Sequence, residues 1–163
     1  HRADIETSDK HERTPLHWAT FKGRVETVEM LLTHRADIET RDTSETKPII
    51  SAAMEGHVAT VEMLLMHLAD IETRDKKQHT PLNAAAIAGH GDIVEMLLTH
   101  LADIETRDKK QHTPLNAAAI AGHGDIVEML LTHLADIETR DSDERTPLNV
   151  ASLVGNGDIV EML

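Results

Sequence analysis

The fold is decided by residues 68–100, which read LADIETRDKKQHTPLNAAAIAGHGDIVEMLLTH. Residues 101–133 repeat this 33-residue segment without a single change. Related segments lie on the same register throughout the chain, because the run Ala-Asp-Ile-Glu-Thr begins at Ala3, Ala36, Ala69, Ala102 and Ala135. A fixed period of this length indicates a solenoid in which small structural units stack on one another.

Residues 75–107 illustrate how one unit is expected to fold. Thr80 can cap a first helix with its hydroxyl, and Pro81 suits the first helical position. Gly89 is expected to end this helix in a left-handed conformation. We expect Asp92 to cap a second helix. The apolar stripe of that helix consists of Ile93, Val94, Leu97 and Leu98. A single unit cannot bury this stripe, so it must stack on neighbours.

Several recurring motifs resemble those of ankyrin repeats. They are Thr-Pro-Leu-His at 14–17, Gly-His at 56–57, 89–90 and 122–123, and the helical run Val-Glu-Met-Leu-Leu. The resemblance implies an all-α repeat solenoid of 33-residue helix-turn-helix units with short β-hairpin fingers. It also implies a concave groove that binds a partner protein or peptide, and it implies neither enzymatic activity nor a cofactor.

On this register, residues 1–163 form a single array. The array consists of the end of a preceding repeat (1–8), complete repeats and an incomplete last repeat (141–163). The complete repeats are 9–41, 42–74, 75–107 and 108–140. His1 lies on the register of a second-helix end, and Leu163 falls inside a second helix. We therefore expect the parent protein to extend beyond both ends.

The composition argues against several classes of function. A net charge of −13 disfavours nucleic acid and an anionic membrane as partners. No apolar run approaches the roughly 20 residues that span a bilayer, and no signal peptide opens the chain. The absence of cysteine removes thiolate catalysis and thiolate zinc sites. It also fits an intracellular protein, cytoplasmic or nuclear, rather than a secreted one.

Neither the histidines nor the carboxylates indicate a catalytic or metal site. One row of histidines recurs once per unit at the second-helix ends, at His34, His67, His100 and His133. Packed helices lie about 8–10 Å apart, too far for such a row to share one zinc. These histidines suit the negative end of the helix dipole. The repeated Asp-Ile-Glu-Thr-Arg-Asp carboxylates are expected to form solvated hairpins with an internal Arg partner. No P-loop, nucleophile elbow or calcium loop is present, so no small-molecule substrate is predicted.

The chain departs from the ankyrin pattern where the family usually has glycine. At the finger tips these positions are Glu12, Glu45, Gln78, Gln111 and Glu144. After the second helices they are Arg35, Leu68, Leu101 and Leu134. The resemblance implies a left-handed backbone at these positions, which is costly for residues with a side chain.

The second repeat departs further from the pattern. Lys47 replaces the capping threonine, and Ile50 replaces the histidine of Thr-Pro-Leu-His. Ile50 cannot make the hydrogen bond of that histidine, so we expect residues 42–74 to be the least stable repeat.

The resemblance to ankyrin repeats implies that the groove floor lies on the face of each first helix that points away from the core. Leu82, Ala85 and Ala86 should face the core. The expected floor residues are Trp18, Phe21, Lys22, Ser51, Met54, Glu55, Ala84, Ile87, Ala88, Ala117, Ile120, Ala121, Val150, Leu153 and Val154.

Two features of this face suggest partner-binding residues. Trp18 and Phe21, the only aromatic residues, either anchor a partner side chain or pack on a preceding repeat. The finger tips carry basic residues in an otherwise acidic protein, which suits a partner with apolar anchors and acidic flanks. Alternatively, the tip lysines serve only solubility. The candidate partner-binding residues are Trp18, Phe21, Lys22, Met54, Lys76, Lys77, His79, Ile87, Lys109, Lys110, His112, Ile120 and Leu153.

Three interpretations of the whole chain stay open. The first is a natural protein-interaction module. The second is an engineered or consensus-derived ankyrin scaffold without an evolved partner, which the identity of residues 68–100 and 101–133 favours and the irregular second repeat disfavours. The third is the recognition segment of a larger enzyme or channel.

Replacing Gln78 and Gln111 together by Gly should raise the Tm. A left-handed conformation costs a residue with a side chain roughly 1–2 kcal/mol. Glycine returns roughly 0.5–1 kcal/mol of this through its greater freedom in the unfolded chain. We therefore expect a net gain of a few degrees, measured by thermal unfolding. A lower Tm of the double variant would contradict the assumed turn geometry.

Overall fold

The computed structural model describes residues 4–163, a succession of α-helices joined alternately by short turns and by longer loops that carry the fingers. The register position His1 lies outside the described residues. The helices are α1 (Pro15–Phe21), α2 (Val25–Thr33), α3 (Pro48–Met54), α4 (Val58–Met66), α5 (Pro81–Ala88), α6 (Gly91–Thr99), α7 (Pro114–Ala121), α8 (Gly124–Thr132), α9 (Pro147–Val154) and α10 (Gly157–Met162).

The start and end of the first helices follow local sequence signals, as predicted. The Thr80 hydroxyl accepts a hydrogen bond from the Asn83 backbone N–H at 3.3 Å, and the Asn83 side chain accepts one from the Thr80 N–H at 3.1 Å. Pro81 occupies the first helical position of α5. Gly89 ends the helix with φ 85°. This reciprocal arrangement satisfies two of the N–H groups that an α-helix leaves unpaired.

The predicted cap of the second helices is wrong. Helix α6 begins at Gly91, and His90 is its N-cap without a side-chain cap hydrogen bond. Asp92 therefore lies inside the first turn, where its carboxylate faces the positive end of the helix dipole. His90 is the last non-helical residue, so the helix starts earlier than expected.

The helices form two layers that share one core. Helices α1, α3, α5, α7 and α9 pack in succession in one layer, and α2, α4, α6, α8 and α10 pack in the other. The predicted core side chains are confirmed, because each is at most 8 % exposed: Leu82, Ala85, Ala86, Ile93, Val94, Leu97 and Leu98.

The fingers are tight turns. The Asp75 N–H donates to the His79 carbonyl at 3.1 Å, and the Gln78 N–H donates to the Asp75 carbonyl at 2.9 Å. Successive fingers are joined by one backbone hydrogen bond, such as that from the Lys109 N–H to the Lys77 carbonyl at 3.0 Å. Single bonds of this kind do not make a ladder, and no strand occurs in residues 4–163.

The left-handed positions implied by the family resemblance are confirmed. The finger-tip and post-helix residues all have φ between 58° and 67°. After α6, the Leu101 N–H donates to the Leu98 carbonyl at 2.9 Å and the Ala102 N–H donates to the Leu97 carbonyl at 3.0 Å. These two bonds define the Schellman motif, whose left-handed residue is usually Gly. Each of these residues therefore holds a strained conformation.

Neighbouring repeats interlock through a histidine ring and a glycine. The His123 Nε2 donates to the Ile87 carbonyl at 3.1 Å, and the ring lies against Gly89. A Cβ atom at Gly89 would lie 2.7 Å from Cε1 of His123. His57 and His90 make the same contact with the Phe21 and Met54 carbonyls. Glycine thus avoids strain at this positive φ and leaves room for the ring.

The second repeat has a different polar interior. The ammonium group of Lys47 pairs with Glu39 and lies 3.7 Å from Asp70 Oδ2. Ile50 is fully buried, and the buried hydroxyl of Thr73 has no hydrogen-bond partner. In the third repeat, the equivalent hydroxyl of Thr106 donates to Asn83 Oδ1 at 3.2 Å. An unpaired buried polar group is costly, but the third repeat also has such atoms at His79 Nδ1 and Asn83 Nδ2, so the lower stability of the second repeat stays a prediction.

Replacing Gly89 by Ala should destabilise the array more than replacing Gly155 by Ala. Both glycines have positive φ, but nothing lies within 4 Å of a Cβ at Gly155. At Gly89 the His123 ring must move and its hydrogen bond must break, which adds about 1 kcal/mol. Chemical denaturation measures the two free energies of unfolding. Equal losses in the two variants would show that the histidine contact contributes nothing.

Candidate functional site

The fingers and the first helices together line a series of open clefts on one face of the array. One of them has a volume of about 500 Å³ and lies between the third and fourth repeats. Its floor is formed by α5 and α7, and its rim by the two fingers. Its lining combines apolar residues of the two helices with charged and polar residues of the fingers: Ile87, Ala117, Ile120, Ala121, Lys77, Lys109, Lys110, His79, His112 and Asp108. We call it the lysine cleft.

The exposed floor of the lysine cleft is narrower than predicted. Ile87 and Ile120 are each 37 % exposed and present apolar surface to solvent. Ala84, Ala117 and Val150, which we expected in the floor, are buried. Ala117 and Val150 nevertheless line clefts. The prediction is wrong at Ala84, whose small side chain lets a neighbouring helix pack closely enough to cover it. The sequence alone does not reveal that close approach.

The rim of the lysine cleft carries unpaired positive charge. Lys77, Lys109 and Lys110 are exposed, and none makes an ion pair in the part of the chain that the structure describes. Lys76 differs, because its Nζ donates to the Thr43 carbonyl of the preceding finger at 2.5 Å. Thus three of the four finger lysines in these repeats are free to meet an anionic group.

His79 and His112 do not belong to the exposed finger tips, contrary to our expectation. His79 lies between two carboxylates, with Nδ1 3.3 Å from Asp75 Oδ2 and Nε2 3.7 Å from Asp108 Oδ2. His112 lies in the same way between Asp108 at 3.4 Å and Asp141 at 3.5 Å. This row is largely buried at the finger bases. Its sequence signal is the Asp and His four residues apart in Asp-Lys-Lys-Gln-His, which sequence reasoning missed.

Trp18 and Phe21 form a second cleft with the next repeat. It has a volume of about 200 Å³ and includes Ile50 and Met54 in its lining. The two aromatic rings meet edge to face at a centroid distance of 6.1 Å. Both rings and Met54 are 36–39 % exposed. We call this site the aromatic cleft.

Cations cover part of each ring in the aromatic cleft. The Arg13 guanidinium lies 4.1 Å from the Trp18 ring centroid and also pairs with Asp9 at 3.2 Å. Lys22 Nζ lies 4.9 Å from the Phe21 centroid. These cation–π contacts hold the rings in place without burying them.

In the cleft of the last repeat, the arginine at the rim is already paired with carboxylates. Leu153 is 69 % exposed and lines this cleft together with Val154. The Arg145 guanidinium pairs with Asp141 at 2.9 Å and with Asp143 at 2.7 Å. Positive charge is therefore less available here than in the lysine cleft.

The polar groups that we assigned to single hairpins instead join neighbouring repeats. Arg74 does not pair with a carboxylate of its own hairpin, as we had expected, but donates to the Arg107 carbonyl at 2.9 Å. The Glu72 carboxylate accepts the Asp103 N–H at 2.8 Å. Burial raises the pKa of Glu72, although this hydrogen bond opposes the shift. These groups position the fingers of neighbouring repeats relative to one another.

The row of histidines at the second-helix ends lies where the sequence predicts it. His34, His67, His100 and His133 are the C-caps of α2, α4, α6 and α8. In each, Nδ1 donates to the carbonyl four residues earlier, as His100 does to Met96 at 2.8 Å. Each ring thus satisfies a carbonyl at the end of its helix.

Residues 4–163 contain neither a metal-binding cluster nor a membrane-spanning helix. No group of three or more His, Asp or Glu side chains there is arranged to hold a metal ion. No helix among the same residues is both long and apolar enough to cross a membrane.

These features define a helical repeat protein with an open face that carries apolar floors and charged rims. Family models for ankyrin repeats match residues 11–43, 40–108 and 99–163. The chain therefore belongs to the ankyrin-repeat family. Ankyrin repeats are generally protein–protein interaction modules and are typically non-catalytic. A search of curated proteins finds no significant match.

His17 differs from its equivalents in later repeats because it can titrate. Its Nδ1 accepts the Thr14 N–H at 3.1 Å, so the neutral ring carries its proton on Nε2, which donates to the Thr46 carbonyl at 3.1 Å. Burial lowers the pKa of His17 below its ordinary value of 6.5, while the bond to Thr46 opposes the shift. Protonation of Nδ1 would break the bond with Thr14.

The stability that His17 contributes should be lost in acid. Below pH 6.5 the unfolded chain binds a proton that the folded chain binds less readily. The free energy of unfolding therefore decreases as the pH is lowered. The variant His17→Asn places in α1 the same residue type that Asn83 provides in the capping box of α5, and asparagine does not titrate. It should lose about 1 kcal/mol near pH 7.5, with the bond to Thr46, and the deficit should shrink on acidification. Urea unfolding at several pH values measures the difference, and a deficit that does not change with pH would contradict the assignment.

Proposed function

We propose that this array binds a peptide segment of a partner protein along the face that contains the aromatic and lysine clefts. The observation that carries the proposal is the exposed pair Ile87 and Ile120 beneath the free lysines Lys77, Lys109 and Lys110. An apolar floor under a basic rim suits a segment with an apolar side chain flanked by Asp or Glu.

Charge supports acidic flanks in particular. The protein has a net charge of −13, so an acidic segment is repelled by most of the surface. The free lysines around the lysine cleft provide a local attraction, which directs an acidic segment to this cleft and disfavours other sites. The alternative is that the tip lysines serve solubility alone. In that case their position over the exposed isoleucines would not affect binding.

The aromatic cleft supplies a second anchor point in this proposal. Tryptophan is enriched among residues that dominate binding energy, and Trp18 shares its cleft with Phe21 and Met54 of the next repeat. The rings line this cleft and are already ordered by Arg13 and Lys22, so binding costs little side-chain entropy. Packing of the same rings on a preceding repeat is the alternative that the experiment below addresses.

The remaining parts of the proposal concern the whole protein. We propose that the chain is a non-catalytic, intracellular array with the repeat bounds set out above, and that it requires no cofactor, nucleic acid, membrane or small-molecule substrate. An engineered scaffold would present the same clefts without an evolved partner. As a segment of a larger enzyme or channel, the array would deliver recognition by the same surface.

Selection of a random peptide library on the array tests the proposal. Enriched peptides should carry Asp or Glu next to a large apolar residue. For such a peptide, Lys110→Glu should weaken binding by about tenfold or more and reduce its dependence on salt, because a close charge pair becomes a repulsion. Trp18→Ala together with Phe21→Ala should also weaken binding while circular dichroism shows an intact array. Fluorescence anisotropy measures the affinities.

The matched control reverses a positive charge elsewhere. Arg24 is exposed in the turn between α1 and α2 and lines none of the clefts described above. Arg24→Glu changes the net charge as Lys110→Glu does, so it should leave the affinity nearly unchanged. Equal losses in the two variants would show that only net charge matters. Unchanged affinity in the aromatic variant would remove Trp18 and Phe21 from the site.

A further inference from the structure

A row of leucines outside the clefts is almost entirely exposed to water. Leu68, Leu101 and Leu134 are 88 %, 89 % and 87 % exposed. They follow α4, α6 and α8 at equivalent positions in the second, third and fourth repeats, and Arg35 occupies this position in the first. None lines the aromatic or the lysine cleft. We call these three residues the leucine row.

The leucine row is unfavourable for the folded chain by itself. Each of the three has φ 65°, a left-handed conformation in which Gly is free of strain and Leu is not. The next residues, such as Ala102, turn inward and are buried. A leucine that is both strained and exposed adds nothing to the core. Strain that the fold does not need points to a use at the surface.

The surroundings of the leucine row are acidic. In each repeat the sequence continues Leu-Ala-Asp-Ile-Glu, and the segments 66–72, 99–105 and 132–138 contain neither Lys nor Arg. Asp70, Asp103 and Asp136 are exposed two residues after each leucine, and Asp70 alone already has a cation nearby, the Lys47 ammonium at 3.7 Å. A ligand for this face must therefore present apolar groups between positive charges.

The spacing of the leucine row suits a helix that runs along the array. Packed helices of neighbouring repeats lie about 8–10 Å apart, so the leucines recur at about this interval. Seven residues of an α-helix span about 10.5 Å, two turns on one face. Apolar residues at every seventh position of a helix can thus meet successive leucines, and lysines or arginines beside them can meet the aspartates.

We propose that the leucine row is a second protein-binding surface, and that its ligand is a basic amphipathic helix of a partner protein. This surface does not depend on the groove, so the two proposals can fail separately. The ligand contributes apolar side chains that shield Leu68, Leu101 and Leu134, and basic side chains that approach Asp70, Asp103 and Asp136.

The test uses a helical peptide of Ala and Lys with Leu at every seventh position. Its control has the same composition with the leucines placed on different faces. The wild-type array should bind the first peptide at least about tenfold more tightly than the second. The variant with Leu68, Leu101 and Leu134 all changed to Gly should lose this preference and gain a higher Tm, because strain is relieved. A merely structural role would not produce loss of binding together with a gain in stability.

Two further variants separate side-chain chemistry from strain. Changing all three leucines to Lys keeps a side chain at each left-handed position and should abolish binding with little change in Tm. Changing Gln78 and Gln111 to Gly relieves strain at the fingers and should leave peptide binding intact. Equal binding of the two peptides, or unchanged binding in the lysine variant, would overturn the proposal. Self-association of the wild type that the lysine variant lacks, seen by analytical ultracentrifugation, would overturn it in favour of a second copy of this chain.

Discussion

Each pair of helices in this chain buries its apolar side chains fully only when neighbouring repeats pack against it. Leu82, Ile93 and Leu97 are at most 1 % exposed because helices of the adjoining repeats cover them. A lone repeat would leave these side chains in water, which opposes folding by roughly 1.5–3 kcal/mol for each large residue. The array is therefore stable only as a stack, and every surface feature is a consequence of how one repeat sits on the next.

Polar contacts fix the register of that stack. The His123 ring on Gly89, the Arg74 guanidinium on the Arg107 carbonyl and the Glu72 carboxylate on the Asp103 N–H all cross from one repeat to the next. Hydrophobic burial is not directional, whereas these bonds have specific geometry. They place successive fingers side by side, and this alignment brings the finger lysines over the floor formed by the first helices.

The sequence predicts what is local and misses what depends on a neighbour. Thr80, Pro81 and Gly89 carry their signals within one helix, and the structure confirms each role. His79 looks exposed and basic in the sequence, yet carboxylates of two repeats surround it. Ala84 lies on the expected face but is covered by an adjoining helix. Burial and pairing across repeats require the distance between units, which a repeat pattern does not contain.

The lysine cleft shows how a duplicated repeat creates a site that neither copy has alone. The finger sequences are Asp-Lys-Lys-Gln at 75–78 and again at 108–111, whereas the flanking fingers read Asp-Thr-Ser-Glu and Asp-Ser-Asp-Glu. Only the junction between the third and fourth repeats therefore has two lysines on both fingers. Its floor is equally symmetric, because α5 and α7 contribute Ile87 and Ile120 at equal exposure. Since the cleft lies between repeats, a change in either copy alters it, and specificity in this array resides in the order of the repeats as much as in their sequence.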